Sequence, residues 1–209
     1  MIAIIDYEAG NLTSVERAVR SLGRDCVVTG DARIIREAQR VIFPGVGQAG
    51  SAMASLKRTG LDAVIHEVYA SGRPFMGICL GTQIILSHSQ EHDTPCLGLL
   101  EGEVEAFPAK MNDTDGSRLK IPHMGWNRIR RVADHPILEG ITEEDEFYFV
   151  HSYYPNPADR AHALAECTYG FTFPVMLGHK NLVSSQFHPE KSGKAGLKIL
   201  DNFCRWQPC

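Results

Sequence analysis

No part of the 209-residue chain approaches the ~18 consecutive apolar residues that a membrane helix needs. No basic stretch precedes the opening apolar run Met1-Ile2-Ala3-Ile4-Ile5, which meets a charge at Asp6. It reads as a buried first strand and not as a signal peptide. Lys/Arg-rich runs are missing as well. With 21 basic residues against 25 acidic ones the net charge is −4. Such a chain offers no electrostatic footprint for a phosphate backbone, which argues against a nucleic-acid partner. No CxxC pair occurs. The six cysteines, Cys26, Cys79, Cys96, Cys167, Cys204 and Cys209, are irregularly spaced. A disulfide framework is therefore not expected, and reduced thiols suit a cytoplasmic chain.

The remaining composition is that of an ordinary soluble protein, 44% hydrophobic and 22% charged. It can bury a sizeable core without metal or disulfide staples. No repeat, low-complexity tract or long linker divides the chain, so residues 1–209 are expected to form one domain. In the first half, strand patterns at Ile2–Ile5, Cys26–Thr29, Val41–Phe43 and Phe75–Ile78 alternate with helical ones. The helices are expected from Leu12 to Leu22, capped by a Thr13/Glu16 box and closed by Gly23, then at Ala32–Ala38, Ser51–Lys57 and Leu61–Ala70, with another beginning at Gly81–Leu86. Pro44-Gly45-Val46-Gly47 reads as a loop. This alternation predicts an α/β, flavodoxin-like fold: a mostly parallel sheet with helices on both faces. The second half predicts strands at Gly102–Phe107, Trp126–Val132, Phe147–His151, Ala163–Cys167 and Val183–Phe187, hence an antiparallel or mixed extension. A polar loop over 112–120 and a closing helix at Ala195–Trp206 complete the pattern.

Chemistry concentrates at Gly77-Ile78-Cys79-Leu80-Gly81, between a strand and a helix. That is the G-x-nucleophile-x-G elbow with Cys in place of Ser. A nucleophile lifted above a sheet on a sharp turn needs small flanking residues. The following helix points its N-terminus at the sulfur, and the Leu80 N–H falls where an oxyanion would form. A thiol nucleophile requires a base, and the base an orienting group. Among nine histidines, His188 follows a strand within Phe187-His188-Pro189-Glu190. Pro189 favours an extended His188, and residues i and i+2 of an extended chain share a side, so Glu190 can reach the ring. His88 and His92 lack a third ligand and read as surface residues, His66 as a half-buried helix residue. Cys26, Cys96, Cys167 and Cys204 read as small core residues.

These segments resemble the class I glutamine amidotransferases. Pro74 to Gln83 is similar to that family's nucleophile motif, and Gln186-Phe187-His188-Pro189-Glu190 to its His-Glu motif. The resemblance covers essentially the whole chain. It implies a Cys79–His188–Glu190 triad that hydrolyses L-glutamine through a γ-glutamyl thioester and releases ammonia, with no metal or cofactor. Pro44-Gly45-Val46-Gly47, Pro122-His123-Met124-Gly125-Trp126-Asn127 and Phe147 to Tyr153 resemble the glutaminase subunits of imidazole glycerol phosphate synthases, which serve histidine biosynthesis. The anthranilate branch usually carries Pro-Gly-Pro-Gly at the first of these. This likeness implies that Gly47, Gln83, Ser152 and Tyr153 bind the substrate's amino-acid head, and that Val46 joins Leu80 as an oxyanion donor. It implies that His123, Trp126 and Asn127 lie near a face docking on a cyclase subunit, a (β/α)₈ barrel, in a heterodimer. The barrel would use the ammonia to make imidazole glycerol phosphate and aminoimidazole carboxamide ribotide. The glycines of the Gly45–Gly47 segment can reverse a peptide plane cheaply, so a nearly silent free chain is also expected.

Two other readings account for less. A glutaminase of another pathway, such as anthranilate or pyridoxal phosphate synthesis, leaves the three segments unexplained. A non-enzymatic flavodoxin-like thiol protein explains Cys79 but not Gln83, His188 or Glu190.

Overall fold

In a computed structural model describing residues 1–8, 10, 12–113 and 116–208, the first half builds one side of a large sheet. Its elements run β1 (Ile2–Ile5), α1 (Leu12–Ser21), β2 (Cys26–Thr29), α2 (Ala32–Glu37), β3 (Arg40–Gly45), α3 (Ala49–Thr59), α4 (Leu61–Ala70), β4 (Phe75–Cys79) and the short α5 (Leu80–Ile84). Two short strands follow, β5 (His88–Ser89) and β6 (Thr94–Pro95), then β7 (Gly102–Ala106), β8 (His123–Arg128) and β9 (Arg130–Arg131). The chain closes with β10 (Glu146–His151), β11 (Tyr153–Pro157), β12 (Ala163–Tyr169), β13 (Phe171–His179), β14 (Leu182–Ser185) and α6 (Gly193–Arg205).

The main sheet has the order β2-β1-β3-β4-β14-β13-β12-β9. Strands β2, β1, β3, β4 and β14 are parallel, and β13, β12 and β9 extend the sheet antiparallel. This is the α/β architecture with a mixed second half that the sequence predicts. The central strands are apolar on both faces because helices cover both. In β1, Ile2 and Ile4 face a core shared with Val15, Val19 and Phe203. Ala3 and Ile5 face a second core with Leu56, Ile65 and Val68. That split is the two-residue strand period. A β10–β8 pair and a β11-β7-β5-β6 sheet stand apart from the main sheet.

Several local expectations need correction. Helix α1 begins at Leu12, so Thr13 lies within its first turn and cannot cap it; Glu16 pairs instead with Arg20. Pro44 and Gly45 are the last residues of β3 and not loop, with Gly45 in register opposite Cys79. The strand expected at Trp126–Val132 is two, β8 starting at His123 and β9. The sequence reading has no strand at Tyr153–Pro157 or Phe171–His179. Pro155 and Pro157 conceal β11, an edge strand where proline is tolerated, and Pro174 lies in β13 beside a register shift. His66 is exposed, not half-buried, and His88 pairs with Asp93 and Glu103. Cys96 is only partly buried, and Cys209 lies outside the described residues. Among the described residues no helix is long and apolar enough to cross a membrane, and no group of three or more His, Cys, Asp or Glu could hold a metal ion.

Candidate active site

Cys79 ends β4 with φ 54° and ψ −110°, a left-handed conformation that an L-residue rarely adopts. Its neighbours explain how the turn is tolerated. A Cβ on Gly81 would run into the Phe43 carbonyl, and one on Gly77 would come within 3.1 Å of the Gly81 backbone. Thr82 Oγ1 donates to the Ser185 carbonyl at 2.6 Å, tying the elbow to the end of β14.

The chain leaves β14 and presents His188 three residues later. The His188 N–H donates to the Tyr148 carbonyl at 3.0 Å, and Ser192 Oγ donates to the His188 carbonyl at 2.6 Å. His188 is extended, with φ −96° and ψ 96°, and its Nδ1–H donates to Glu190 Oε1 at 2.8 Å. The two side chains are 3% and 1% exposed. Among the described residues Nε2 has no hydrogen bond of regular geometry, but Cys79 lies near enough to act on it through hydrogen bonding and charge. Burial alone would lower the His188 pKa. Cys79 and Glu190 outweigh it and push the value up to about 9, favouring the imidazolium.

One cavity of about 350 Å³ gathers most of the candidate residues: Cys79 and His188 with Val46, Gly47, Leu80, Gln83, Ser152 and Tyr153. Glu190 stands behind His188 and does not line it. Gln83 Nε2 donates at 3.0 Å both to the Tyr153 carbonyl and to Gln186 Oε1. Gly47 has φ +97°, and Val46 is 37% exposed. Trp126 is exposed, Asn127 half-buried, and His123 buried. His123 is stacked against Phe149 and Tyr169, on the opposite side of β8 from the exposed Trp126.

Four neighbours of the site are absent from the sequence-based set. Gln186 places Nε2 3.9 Å from the Cys79 sulfur. Glu91 lines the cavity and accepts from the Ala49 N–H at 2.6 Å, at the start of α3. The buried Tyr7 hydroxyl lies beside Gly45 and has no hydrogen-bond partner among the described residues; burial, then Cys79, push that phenol up. His151 lines the cavity, and a sequence signal for it exists: it shares the buried side of β10 with Phe147 and Phe149 at two-residue spacing.

The model of the family Glutamine amidotransferase class-I matches residues 3–206. The chain is similar to the imidazole glycerol phosphate synthase subunit HisH of Nitratidesulfovibrio vulgaris (strain DP4), with 52% identity over 206 residues, covering 99% of this chain and 96% of that one. Against the subunit of the same name from Aromatoleum aromaticum the identity is 48%, with 99% of each chain covered. The structure of PurLQS from Thermotoga maritima superposes with a TM-score of 0.73, covering 98% of this chain and 97% of that one at 15% identity, a likeness of fold alone.

Proposed function

The chain belongs to the class-I glutamine amidotransferase family, and on that premise we propose that Cys79, His188 and Glu190 form the triad by which it hydrolyses glutamine for imidazole glycerol phosphate synthase in histidine biosynthesis. The observation that carries this reading is the convergence of a strained Cys79 and a Glu190-oriented His188 on one cavity.

The Cys79 sulfur attacks the carboxamide carbon of glutamine, and the carbonyl electrons move onto oxygen. The N–H groups of Leu80 and Val46 receive that oxyanion. His188, held as imidazolium by Glu190, gives its Nε2 proton to the leaving nitrogen, and ammonia departs as the thioester forms. Neutral His188 then takes a proton from water, which attacks the thioester. Collapse of that second adduct returns the proton to sulfur and releases glutamate. Gln83 spends both amide protons within the protein, leaving Oε1 to accept from the substrate's ammonium group. Gly47 and the Ser152–Tyr153 backbone complete the head-binding wall.

The ammonia passes to a cyclase subunit, a (β/α)₈ barrel that docks on the face carrying Trp126 and Asn127. The 1–209 chain works as one domain in the cytoplasm. The test mixes the chain with a histidine-pathway cyclase, glutamine and the ribonucleotide substrate, and measures imidazole glycerol phosphate. Product formed with glutamine, and lost in Cys79→Ala but retained with ammonium salt, is the expected result. Equal product with and without the chain overturns the reading.

A further inference from the structure

His123 and His151 are buried titratable residues to which the hydrolytic chemistry assigns no role. They face each other across the β8–β10 ladder, and His123 Nδ1 lies 2.9 Å from His151 Nε2. Both ends of this contact have a fixed polarity. His151 Nδ1 lies 2.8 Å from the Tyr153 carbonyl oxygen, which only accepts, so the His151 proton is on Nδ1. At the other end, Asn127 Oδ1 accepts from the Arg128 N–H at 2.8 Å, which orients its amide. Asn127 Nδ2 then donates to His123 Nε2 at 3.3 Å and to the Thr168 carbonyl at 3.1 Å. His123 must therefore carry its proton on Nδ1 and donate it to His151 Nε2. Two neutral rings pass hydrogen bonds in one direction, from the half-buried Asn127 to the wall of the cavity.

The end of this relay is an atom of the site. The Tyr153 carbonyl accepts from His151 Nδ1–H and also from Gln83 Nε2–H at 3.0 Å, so it is held from two sides. Stacking of His123 on Phe149 and Tyr169, with centroids at 4.7 and 4.1 Å, fixes the plane in which its Nδ1–H points. We propose that His151, supported by His123 and Asn127, is a positioning residue that holds the Ser152–Tyr153 wall and Gln83 in the geometry that receives the amino-acid head of glutamine. The proposal rests on the glutaminase reading. Burial, and then the charge of His123, lower the His151 pKa to about 3; burial lowers that of His123 to about 4. Both rings thus stay in the neutral form the relay requires.

The experiment follows inactivation of the full chain by a diazoketone analogue of glutamine, separating its saturation constant from its limiting rate. Iodoacetamide, which has no amino-acid head, serves as the control for the thiol. His151→Phe should raise the saturation constant about three- to tenfold, the net worth of one neutral hydrogen bond. The limiting rate and the iodoacetamide rate should stay within about twofold. His151→Asn, whose Nδ2 can still donate to the Tyr153 carbonyl, should recover most of the loss. An unchanged saturation constant in His151→Phe, or an equal fall in the iodoacetamide rate, overturns the proposal. Should the variants fail to fold, ¹⁵N imidazole spectra of the unaltered chain decide. Both rings should be neutral Nδ1–H tautomers that do not titrate between roughly pH 8 and 5.5, and an Nε2–H tautomer on either ring refutes the relay. Failure of the unaltered chain to react with the analogue even with a histidine-pathway cyclase and its ribonucleotide present refutes the glutaminase reading, and the tautomers then decide the relay alone.

Discussion

Replacing Cys79 by Gly and by Ala should reverse the usual order of stability. At an ordinary strand position Gly is less stable than Ala, because its unfolded chain has about 0.5–1 kcal/mol more entropy to lose. Cys79 sits at φ 54° and ψ −110°, where a residue with a Cβ stores roughly 1–3 kcal/mol of backbone strain. Ala keeps that strain and Gly releases it, while both variants lose the same sulfur, so the burial change nearly cancels between them. The difference should favour Cys79→Gly over Cys79→Ala by about 0.5–2 kcal/mol. At this chain length each kcal/mol moves the thermal midpoint by about 2–4 °C. Urea melts with matched slopes give the comparison directly. Cys167, buried in β12 without a positive φ, is the control, and there Ala should exceed Gly by about 0.5–1 kcal/mol. A Cys79→Ala chain as stable as or more stable than Cys79→Gly would refute the reading of a strained elbow, and with it the account of the flanking glycines.

Among the cysteines, an electrophilic glutamine analogue should label Cys79 alone; comparable labelling of Cys26 or Cys204 in peptide maps would count against a uniquely activated thiol. Trp126→Ala should cost less than about 1 kcal/mol of stability, since the residue is 55% exposed, yet weaken cyclase binding by about 2 kcal/mol or more in a titration. Normal affinity and normal ammonia transfer would remove Trp126 from that interface. Stability should fall on both sides of about pH 6.5, the unfolded histidine value. His123 and His151 have folded values depressed to about 4 and about 3, so their contribution is complete above ~6.5 and is lost as pH falls toward those values. His188 is raised to about 9, so its contribution is complete below ~6.5 and is lost as pH rises through 9. A thermal midpoint that climbs between pH ~6.5 and ~4.5 would contradict the neutral burial of the histidine pair.

Elements whose pattern is set by their own residues are legible in the sequence. The run Ile2-Ala3-Ile4-Ile5 reads as a buried strand and is covered on both faces, and the helix expected at Ala32–Ala38 is α2. Gly23 ends α1 at φ 70°. Elements defined by their partners are not legible in this way. Strand β13 becomes a strand because β12 and β14 pair with its two sides, despite Pro174. The residue types of the proposed triad are legible because an elbow and a His-x-Glu turn are local. The role of His151 is not, because it depends on His123 and Tyr153, and the first of these is 28 residues away.

What turns those local motifs into one site is the sheet order β3-β4-β14. Parallel strands end on the same edge, so the segment after β3, Cys79 at the end of β4, and the turn after β14 all emerge together. Neighbouring strands lie about 4.8 Å apart. The proposed oxyanion segment, nucleophile and base thus come from three adjacent strands, at spacings that side chains can span. Moving β14 one place outward would insert another strand and set the base roughly 10 Å from the sulfur. The bond from Thr82 Oγ1 to the Ser185 carbonyl guards that adjacency at the point where both chains turn. The proposed substrate wall has a different origin, since Ser152 links β10 to β11 and Tyr153 begins β11, strands of two smaller sheets. The main-sheet order cannot fix that wall. It must be held by bonds reaching into it, from Gln83 on α5 and from His151 at the end of β10, and both converge on the Tyr153 carbonyl.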